Sequence, residues 1–587
     1  MKIKLAKSGL LVLCILAIIV AGCAKVGNIQ GGPKDSIPPV VVKSSPKNFS
    51  TNFKGKKIKI EFNEFIELKD LNKEFNMSPP VTKKPKIWLN GKVMVVEIRD
   101  TLKDSTTYTL SFGNSIVDLN EGNKLSNFEF VVSTGTYIDS MGVHGKIKNA
   151  LTQKPLKEPL LAMLYANLDD SAFFLQKPMY TGSVDKDGNF AVNNVKPGKY
   201  NLFVLSDLNS NLKYDIGEMV AFCDSALVLS PEFITGKHKI EIEEDTARND
   251  SVVMVVDSAK LRQARNSLHV NLTSFIEEGR KQYIKSYTRP NRRCVNIVFN
   301  KPLIKDSLSI DLINNKGENW YLKDRTNFKD SLFLWIKDTT LIKTDTLRLG
   351  IGYYAFDKKD SLIYKKDTLL FRFIDTSNPK TKKPEEKANV LVNAPQIFEL
   401  NGIITIECPY PVLKIDKEKL ILEEKVDTVF NPVAYDLIQD SIFQRLFVVN
   451  NKWKEQTSYK MTILPGFANN IYWLPQDTII NSFTTKSLDS YGTLAINLTG
   501  SKMPVILQLL DGDKVKYEIK AETDGIINFK YLEPKEYVLR LIEDKDNNGK
   551  YTTGNVLKKI QPENVIYYGQ MIKIRANWDM EINWELK

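Results

Sequence analysis

Alternation of charged and apolar side chains marks the stretch Lys57-Ile58-Lys59-Ile60-Glu61-Phe62. Successive side chains of a β-strand point to opposite faces, so this spacing predicts a strand with one buried and one exposed face. Similar patterns recur at Val93-Met94-Val95-Val96-Glu97-Ile98, at Tyr108-Thr109-Leu110-Ser111-Phe112 and at Phe128-Glu129-Phe130-Val131-Val132. Short strands in such close succession predict antiparallel β-sandwiches rather than a parallel sheet connected by helices.

The same pattern extends along most of the chain and predicts an all-β fold of tandem antiparallel β-sandwiches. Many of the predicted strands begin after an Asp-Thr or Asp-Ser pair, as at Asp330-Ser331-Leu332 and Asp477-Thr478-Ile479. These side chains can hydrogen-bond the backbone of the turn that precedes a strand. A weak helical period, in residues 257–279, predicts the one helical region.

The amino-terminal segment has the pattern of a cleaved secretory signal peptide. Lys2, Lys4 and Lys7 precede an apolar run at residues 10–20, which is well short of the roughly 20 residues that span a bilayer as a helix. The run ends in Val20-Ala21-Gly22-Cys23, which resembles a bacterial lipobox. The resemblance implies cleavage before Cys23 and acylation of its thiol, with membrane lipid as the first partner. The alternative is a plain signal peptide followed by a cysteine that is not modified.

Composition limits the classes of function that remain. The 587 residues are too many for one hydrophobic core and predict several domains. A formal net charge of +12 is dispersed among alternating acidic and basic residues, so we expect no nucleic-acid partner, because a nucleic-acid reader needs a concentrated basic stripe. The few cysteines, Cys223, Cys294 and Cys408 among them, are too widely spaced to predict a disulfide framework or a thiolate metal site.

An internal repeat relates two distant regions at a constant offset of 337 residues, the separation of Asp187 and Asp524 (524 − 187). The matching residues are Asp187-Gly188 with Asp524-Gly525, Pro197 with Pro534, Tyr200 with Tyr537, Leu202 with Leu539, Asp207 with Asp544, Asn211 with Asn548, Lys213-Tyr214 with Lys550-Tyr551, and Gly217 with Gly554. Apolar residues keep the same alternate positions in both regions. The repeat predicts one type of domain that is used twice.

Two domain families are suggested by resemblance. Residues 38–135 resemble the Ig-like domain of S-layer and other bacterial surface proteins, through Pro38-Pro39-Val40-Val41-Val42 and Ser133-Thr134-Gly135. The repeated domain resembles the carboxypeptidase-regulatory or transthyretin-like β-sandwich, through Asp187-Gly188-Asn189-Phe190 and Lys196-Pro197-Gly198-Lys199-Tyr200. In detail the chain resembles a group of Bacteroidetes lipoproteins. These resemblances imply a fold and a location but no activity.

The resemblances and the breaks in composition together predict the domain boundaries. In chain order the segments are a signal peptide at 1–22, a flexible lipid tether at 23–37, an Ig-like β-sandwich at 38–135, a regulatory or transthyretin-like β-sandwich at 140–245, an Ig-like β domain at 255–376, a linker at 377–388, an Ig-like β domain at 389–487 and a second regulatory or transthyretin-like β-sandwich at 489–587.

Two polar loops are candidate calcium sites. They place oxygen-bearing side chains at positions 1, 3 and 5 of a twelve-residue frame, a spacing that can surround Ca²⁺. The candidate ligands are Asp207, Asn209, Asn211 and Glu218 in the first loop and Asp544, Asp546 and Asn548 in the second. Neither loop is complete, because Leu212 stands where the first needs a glycine and Asn555 ends the second. The alternative is a pair of polar hairpin turns that need no metal, in which case the protein has no cofactor.

No set of catalytic residues can be identified. The histidines are His144, His238 and His269, which lie far apart in the sequence, and no nucleophile elbow, zinc-binding helix or phosphate loop occurs. We therefore expect no enzyme. Trp473, between Asn469-Asn470-Ile471-Tyr472 and Pro475, is the tryptophan expected to lie on a loop.

The sequence predicts a non-catalytic, lipid-anchored scaffold or interaction protein of the bacterial cell envelope, held at the outer membrane. It leaves open whether the protein faces the periplasm or the cell surface, and whether its partner is an envelope protein or a glycan. The second hypothesis is a glycan-binding surface lipoprotein that serves a neighbouring uptake system, and the third is an accessory envelope enzyme.

Overall fold

The computed structural model describes residues 35–230, 267–279, 281–304, 308–313, 319–325, 330–357, 361–374, 386–501 and 504–586. Strands make up 52% of the structure and helices 4%, and several antiparallel sheets form. This confirms the predicted all-β class of tandem antiparallel β-sandwiches. Among the described residues, no helix is both long and apolar enough to cross a membrane.

The first hydrophobic core lies between the strands of residues 41–133. These strands are β1 (Val41–Ser45), β2 (Lys57–Phe62), β3 (Ile66–Leu68), β4 (Asn76–Ser78), β5 (Lys86–Asn90), β6 (Val93–Glu97), β7 (Thr107–Ser111), β8 (Ile116–Asp118) and β9 (Glu129–Ser133). They form sheets of order β1-β2-β6-β5, β4-β7-β9 and β3-β8. Along β2, Ile58, Ile60 and Phe62 are buried while the residues between them are exposed, as the alternation predicted.

The second core is enclosed by β10 (Met141–Asn149), β11 (Leu161–Tyr165), β12 (Tyr180–Ser183), β13 (Asn189–Val195), β14 (Gly198–Leu205), β15 (Met219–Phe222), β16 (Leu227–Leu229) and β17 (Ser267–Ile276). The sheet order is β12-β11-β14-β15-β17-β10-β13, and β16 pairs with β14. The helix predicted for residues 257–279 is wrong where the structure describes it, because residues 267–276 form strand β17. Leu268, Val270 and Leu272 recur at every second position there and pack into this core.

The third and fourth cores follow along the chain. The third has strands β18 (Ile284–Asn291), β19 (Cys294–Phe299), β20 (Ser309–Leu312), β21 (Tyr321–Arg325), β22 (Ser331–Ile336), β23 (Thr346–Phe356) and β24 (Leu362–Arg372). The fourth has β25 (Leu391–Asn393), β26 (Ile397–Phe398), β27 (Ile404–Glu407), β28 (Val412–Ile415), β29 (Leu420–Val426), β30 (Val429–Pro432), β31 (Asp436–Gln439), β32 (Leu446–Asn450), β33 (Ser458–Ile463), β34 (Ala468–Asn470) and β35 (Ile479–Thr485).

The fifth core repeats the strand order of the second. Its strands are β36 (Gly492–Thr499), β37 (Val505–Asp511), β38 (Lys514–Ala521), β39 (Gly525–Leu532), β40 (Glu536–Glu543), β41 (Val565–Lys573) and β42 (Trp578–Glu585). They form sheets β38-β37-β40-β41 and β39-β36-β42. The second core contains the corresponding runs β12-β11-β14-β15 and β13-β10-β17. The internal repeat in the sequence therefore corresponds to a repeat of topology.

In the part of the chain that the structure describes, the α-helices are few and short: α1 (Leu71–Glu74), α2 (Ala172–Leu175) and α3 (Thr339–Lys343). The described residues fall into two compact units, one within Met1–Ile147, Pro155–Tyr214 and Ala221–Leu272, the other within Lys148–Lys154, Asp215–Val220 and Thr273–Lys587. The domain boundaries stay a prediction. Of the predicted linker at 377–388, residues 386–388 are described, and Ala388 among them is buried.

Candidate functional site

The second of the two candidate calcium loops gathers three carboxylates after strand β40. One ligand oxygen from each of Asp544, Asp546 and Glu563 lies within 4.8 Å of the others. Asp544 is buried, and its two carboxylate oxygens accept hydrogen bonds from the backbone N–H groups of Asn548 (3.0 Å) and Gly549 (2.7 Å). Asp546 is exposed. The loop thus places one buried and one exposed aspartate close to Glu563, which is distant in the sequence but near in space.

Glu563 is the residue that sequence reasoning missed. It lies outside the twelve-residue frame, and its two oxygens accept hydrogen bonds from the backbone N–H groups of Lys545 (2.8 Å) and Thr552 (2.7 Å). Burial raises the pKa of Glu563, and the charges of Asp546 and Asp544 raise it further, against a lowering by these two hydrogen bonds. Burial and the two aspartates thus disfavour the charged form of Glu563, and a bound cation would favour it. Glu563 is a suitable ligand for Ca²⁺, which prefers oxygen ligands such as carboxylates.

The predicted ligand Asn548 forms hydrogen bonds within the described loop. Its Oδ1 atom accepts a hydrogen bond from the Lys550 backbone (2.7 Å), and its Nδ2 group donates to Asp546 Oδ2 (2.9 Å). Asn548 therefore orients the exposed aspartate, and its role as a calcium ligand stays a prediction.

The first candidate loop has the same backbone geometry but a different set of side chains. Asp207 accepts hydrogen bonds from the backbone of Asn211 (3.1 Å) and Leu212 (2.8 Å), just as Asp544 does from its own loop. Asn209 Oδ1 also accepts a hydrogen bond from the Asn211 backbone N–H (3.0 Å), and Asn211 Oδ1 accepts one from the Lys213 backbone N–H (2.6 Å). The counterpart of Glu563 in this loop is Glu218, because the Asp215 N–H that donates to Glu218 matches, at the repeat offset, the Thr552 N–H that donates to Glu563.

Glu218, the predicted last ligand of the first loop, is buried, and its Oε2 atom accepts a hydrogen bond from the Asp215 backbone (3.0 Å). Left-handed φ angles recur at matched positions of the two loops, at Ser210 and Asn547 (58° and 54°) and at Leu212 and Gly549 (58° and 72°). Leu212 adopts this conformation at a cost that glycine avoids. Calcium binding at the first loop stays a prediction.

Two other predicted residues have different outcomes. Cys23, the predicted lipidation site, lies outside the described residues. Trp473 lies on a loop after β34 with a φ of 55° and is 76% exposed, which confirms its predicted placement. Among the described tryptophans, Trp578 is also exposed, at 57%.

The buried polar contacts between neighbouring sandwiches, here called joints, form a second candidate site, which no sequence pattern predicted. Asp324 in β21 and Arg445 before β32 form an ion pair of 2.6 Å that joins the third core to the fourth. The Arg445 guanidinium also donates to the Cys408 carbonyl (2.7 Å) and lies over the rings of Trp335 and Phe443, at 5.1 and 4.7 Å from their centres.

A second network at the same joint surrounds Glu386. Arg293 donates two hydrogen bonds to this carboxylate, at 3.1 and 2.9 Å, and Tyr410 donates another of 2.8 Å. The Arg293 guanidinium lies 4.6 Å from the ring centre of Tyr472, whose hydroxyl donates to the Ile336 carbonyl (2.8 Å). The hydrogen bond from Arg293 lowers the pKa of Glu386 below its ordinary value, so the carboxylate stays charged at neutral pH.

Further along the same unit, the fourth and fifth cores meet at Tyr491, whose hydroxyl donates to Glu399 (2.6 Å) and accepts from the Leu400 backbone (3.0 Å). The loop after β40 also returns to residues 276–277, where Asn555 donates to Glu277 (2.6 Å). The three sandwiches of this unit are therefore held by polar contacts at several places.

The first unit has a comparable joint between β4 and β7 of the first core and β12 and β13 of the second. Thr181 donates through its backbone to Ser78 Oγ (3.0 Å) and through its hydroxyl to Asn76 Oδ1 (3.0 Å). Asn194 Nδ2 donates to Thr109 Oγ1 (2.8 Å). Ser78, Thr109, Thr181 and Asn194 are all buried, and buried polar groups require such partners.

Fold and joints together define a multidomain β-sandwich protein. Within it, residues 35–134 match the family model described as bacterial Ig-like domain. This confirms an Ig-like β-sandwich in the region predicted to hold one, and it concerns that region alone. No curated protein matches the chain.

Several solved structures are similar to the chain at low identity. The S-layer protein rSbsC(31-844) is 11% identical with a TM-score of 0.13, over 92% of this chain and 64% of that one. BcpA, the major pilin subunit of Bacillus cereus, is 11% identical with a TM-score of 0.12, over 76% and 98% of the two chains. The chain thus spans less than two thirds of the S-layer protein. Identities and scores this low support no inference about activity.

Proposed function

We propose that the protein is a non-catalytic scaffold of the bacterial cell envelope, anchored to the outer membrane by lipid on Cys23. The observation that carries the proposal is the buried polar joint between sandwiches, above all the pair of Asp324 and Arg445. A string of independently tumbling domains needs no such contacts, whereas a scaffold must hold its domains at fixed angles to present a surface. Relative domain motion is the default unless an interface opposes it.

The lipid anchor rests on the lipobox-like residues before Cys23, and several acyl chains suffice for stable anchoring. The bacterial Ig-like match at residues 35–134 agrees with an envelope location. The proposed partner of the scaffold is an envelope protein, whereas a glycan partner belongs to the alternative function.

A structural Ca²⁺ in the second loop is part of the proposal. Asp544, Asp546 and Glu563 offer a suitable set of oxygens, and backbone hydrogen bonds already orient all three carboxylates. If the protein were an accessory enzyme, the same three carboxylates would be the candidate catalytic groups. Its carboxylates are occupied by the backbone of their own loop, which favours a structural role over proton transfer.

The glycan-binding alternative is favoured by one observation, the 76% exposure of Trp473 on its loop. Exposed aromatic rings stack on sugar rings through their apolar faces. The other exposed tryptophan, Trp578, is the first residue of strand β42.

Affinity electrophoresis of the full chain through gels that contain envelope polysaccharides separates the two functions. The scaffold proposal predicts equal migration with and without polysaccharide, for the wild type and for Trp473→Ala. Retardation of the wild type that Trp473→Ala abolishes and the matched control Trp578→Ala retains would overturn the scaffold proposal in favour of glycan capture.

A further inference from the structure

The fold brings together two of the three histidines of the chain. His144 lies in β10 and His269 in β17, and these strands are neighbours in one sheet. Their ring centres are 5.6 Å apart, and the ring planes are at 88°. The sequence distance between the two residues gave no reason to expect this contact.

Two imidazoles on one metal ion lie at a comparable distance. With each nitrogen at the usual 2.0–2.1 Å from a metal such as zinc, the ring centres of two tetrahedral ligands are roughly 5–6 Å apart. His269 is exposed, and among the described residues its ring has no hydrogen-bond partner, so it can turn about its side-chain bonds to direct a nitrogen at an ion.

Hydrogen bonds fix the tautomer of His144. The Asn193 Nδ2 group donates to Glu129 Oε2 (3.3 Å), which leaves Asn193 Oδ1 facing His144 Nε2 at 2.8 Å. Because Oδ1 is only an acceptor, Nε2 carries the proton, and the hydroxyl oxygen of Ser267 lies 3.3 Å from the same nitrogen. The Nδ1 atom therefore keeps its lone pair, which is the form of histidine that binds metal.

An oriented histidine of this kind is a common feature of metal sites, where the second ring nitrogen donates to an oxygen acceptor that sets the ring direction. His144 already has such an arrangement, with Asn193 Oδ1 as the oxygen acceptor 2.8 Å from Nε2.

We propose that His144 and His269 bind a divalent transition metal of the kind that prefers imidazole, with water in the remaining coordination positions. Such ions include Zn²⁺, Ni²⁺ and Cu²⁺. The site lies entirely within the first unit and is independent of the carboxylate loop at Asp544. Its ligands come from two strands of one sheet, so the bound ion would tie β10 to β17.

Isothermal titration of the full chain with ZnCl₂, in a buffer with excess Ca²⁺ to fill the carboxylate loop, tests the proposal. The wild type is expected to take up zinc in a saturable step. His269→Gln, at an exposed position that should not disturb folding, is expected to weaken binding by at least about tenfold, because it removes one of two protein ligands. His144→Gln should do the same.

The third histidine provides the matched control. His238→Gln removes an imidazole by the same chemical change and should bind zinc as the wild type does. The proposal is overturned if the wild type shows no saturable uptake, if His269→Gln binds zinc as tightly as the wild type, or if His238→Gln loses as much affinity as His269→Gln.

Discussion

The Asp324 carboxylate and the Arg445 guanidinium lie 2.6 Å apart, and both side chains are less than a tenth exposed, at 7% and 6%. The two residues are 121 positions apart in the chain, and their ion pair joins the third sandwich to the fourth. Buried charges are costly unless they are paired and hydrogen-bonded, and here Trp335 and the Cys408 carbonyl complete the set. The joint is therefore specific to this arrangement of the two sandwiches.

Removal of one partner of this pair should destabilise the joint strongly. Arg445→Met leaves Asp324 charged, buried and unpaired, a change that costs about 3–5 kcal/mol. Urea denaturation of the full chain, followed by tryptophan fluorescence, measures the loss in the free energy of unfolding.

The double variant Asp324→Leu/Arg445→Met should recover much of that loss, because no isolated charge remains. Lys366→Met, which removes an exposed pair with Asp311, is the control and should change little. Equal effects of Arg445→Met and Lys366→Met would contradict the account of the joint.

Calcium should raise the thermal midpoint of the full chain. A ligand that binds only the folded state at 100 times its Kd stabilises that state by about 2.7 kcal/mol. Asp546→Asn should abolish the shift between EGTA and excess Ca²⁺ in differential scanning calorimetry. Asp513→Asn, at a side chain that is 95% exposed, is the control and should retain it. An unchanged shift in Asp546→Asn would exclude calcium from this loop.

Asp118, at the end of β8, should make the first sandwich sensitive to acid. Burial raises its pKa, but hydrogen bonds from the backbones of Gly122, Glu121 and Asn123 prevail and hold the pKa below the ordinary 3.8. A lowered pKa means that the charged form stabilises the fold above pH 3.8 and that this stability is lost as the pH falls through the folded-state value.

At neutral pH, Asp118→Asn should therefore speed hydrogen–deuterium exchange in peptides from β7 to β9, and the difference from the wild type should vanish toward the acid limit. Asp104→Asn, at an exposed residue of the same sandwich, is the control. A difference that grows on acidification would contradict the sign of the pKa shift.

The parts of the fold that could be predicted from the sequence are those that depend on local patterns. The alternation at Ile58 and Ile60 places both side chains in the first core because strand side chains repeat with a period of two. The repeat offset was also reliable, since the Tyr200 and Tyr537 hydroxyls each donate to the carbonyl four residues before, at 2.9 and 3.0 Å. Equivalent residues thus make equivalent contacts.

What the sequence did not show are contacts between distant segments. Glu563 reaches Asp544, and His269 reaches His144, only because the topology places their strands or loops side by side. No spacing rule links such residues, because the intervening chain can vary freely in length. The helix prediction was wrong at residues 267–276 for another reason. The weak helical period was outweighed by the packing of Leu272 and its neighbours in a sheet.

The central claim, a scaffold anchored by lipid on Cys23, is tested most directly by fractionation of cells that express the full chain with a carboxy-terminal epitope. We predict that the wild type and the control Cys223→Ser sediment with the outer membrane, whereas Cys23→Ser is found in the soluble periplasmic fraction. Sedimentation of Cys23→Ser with the membrane to the same extent as the wild type would contradict the claim.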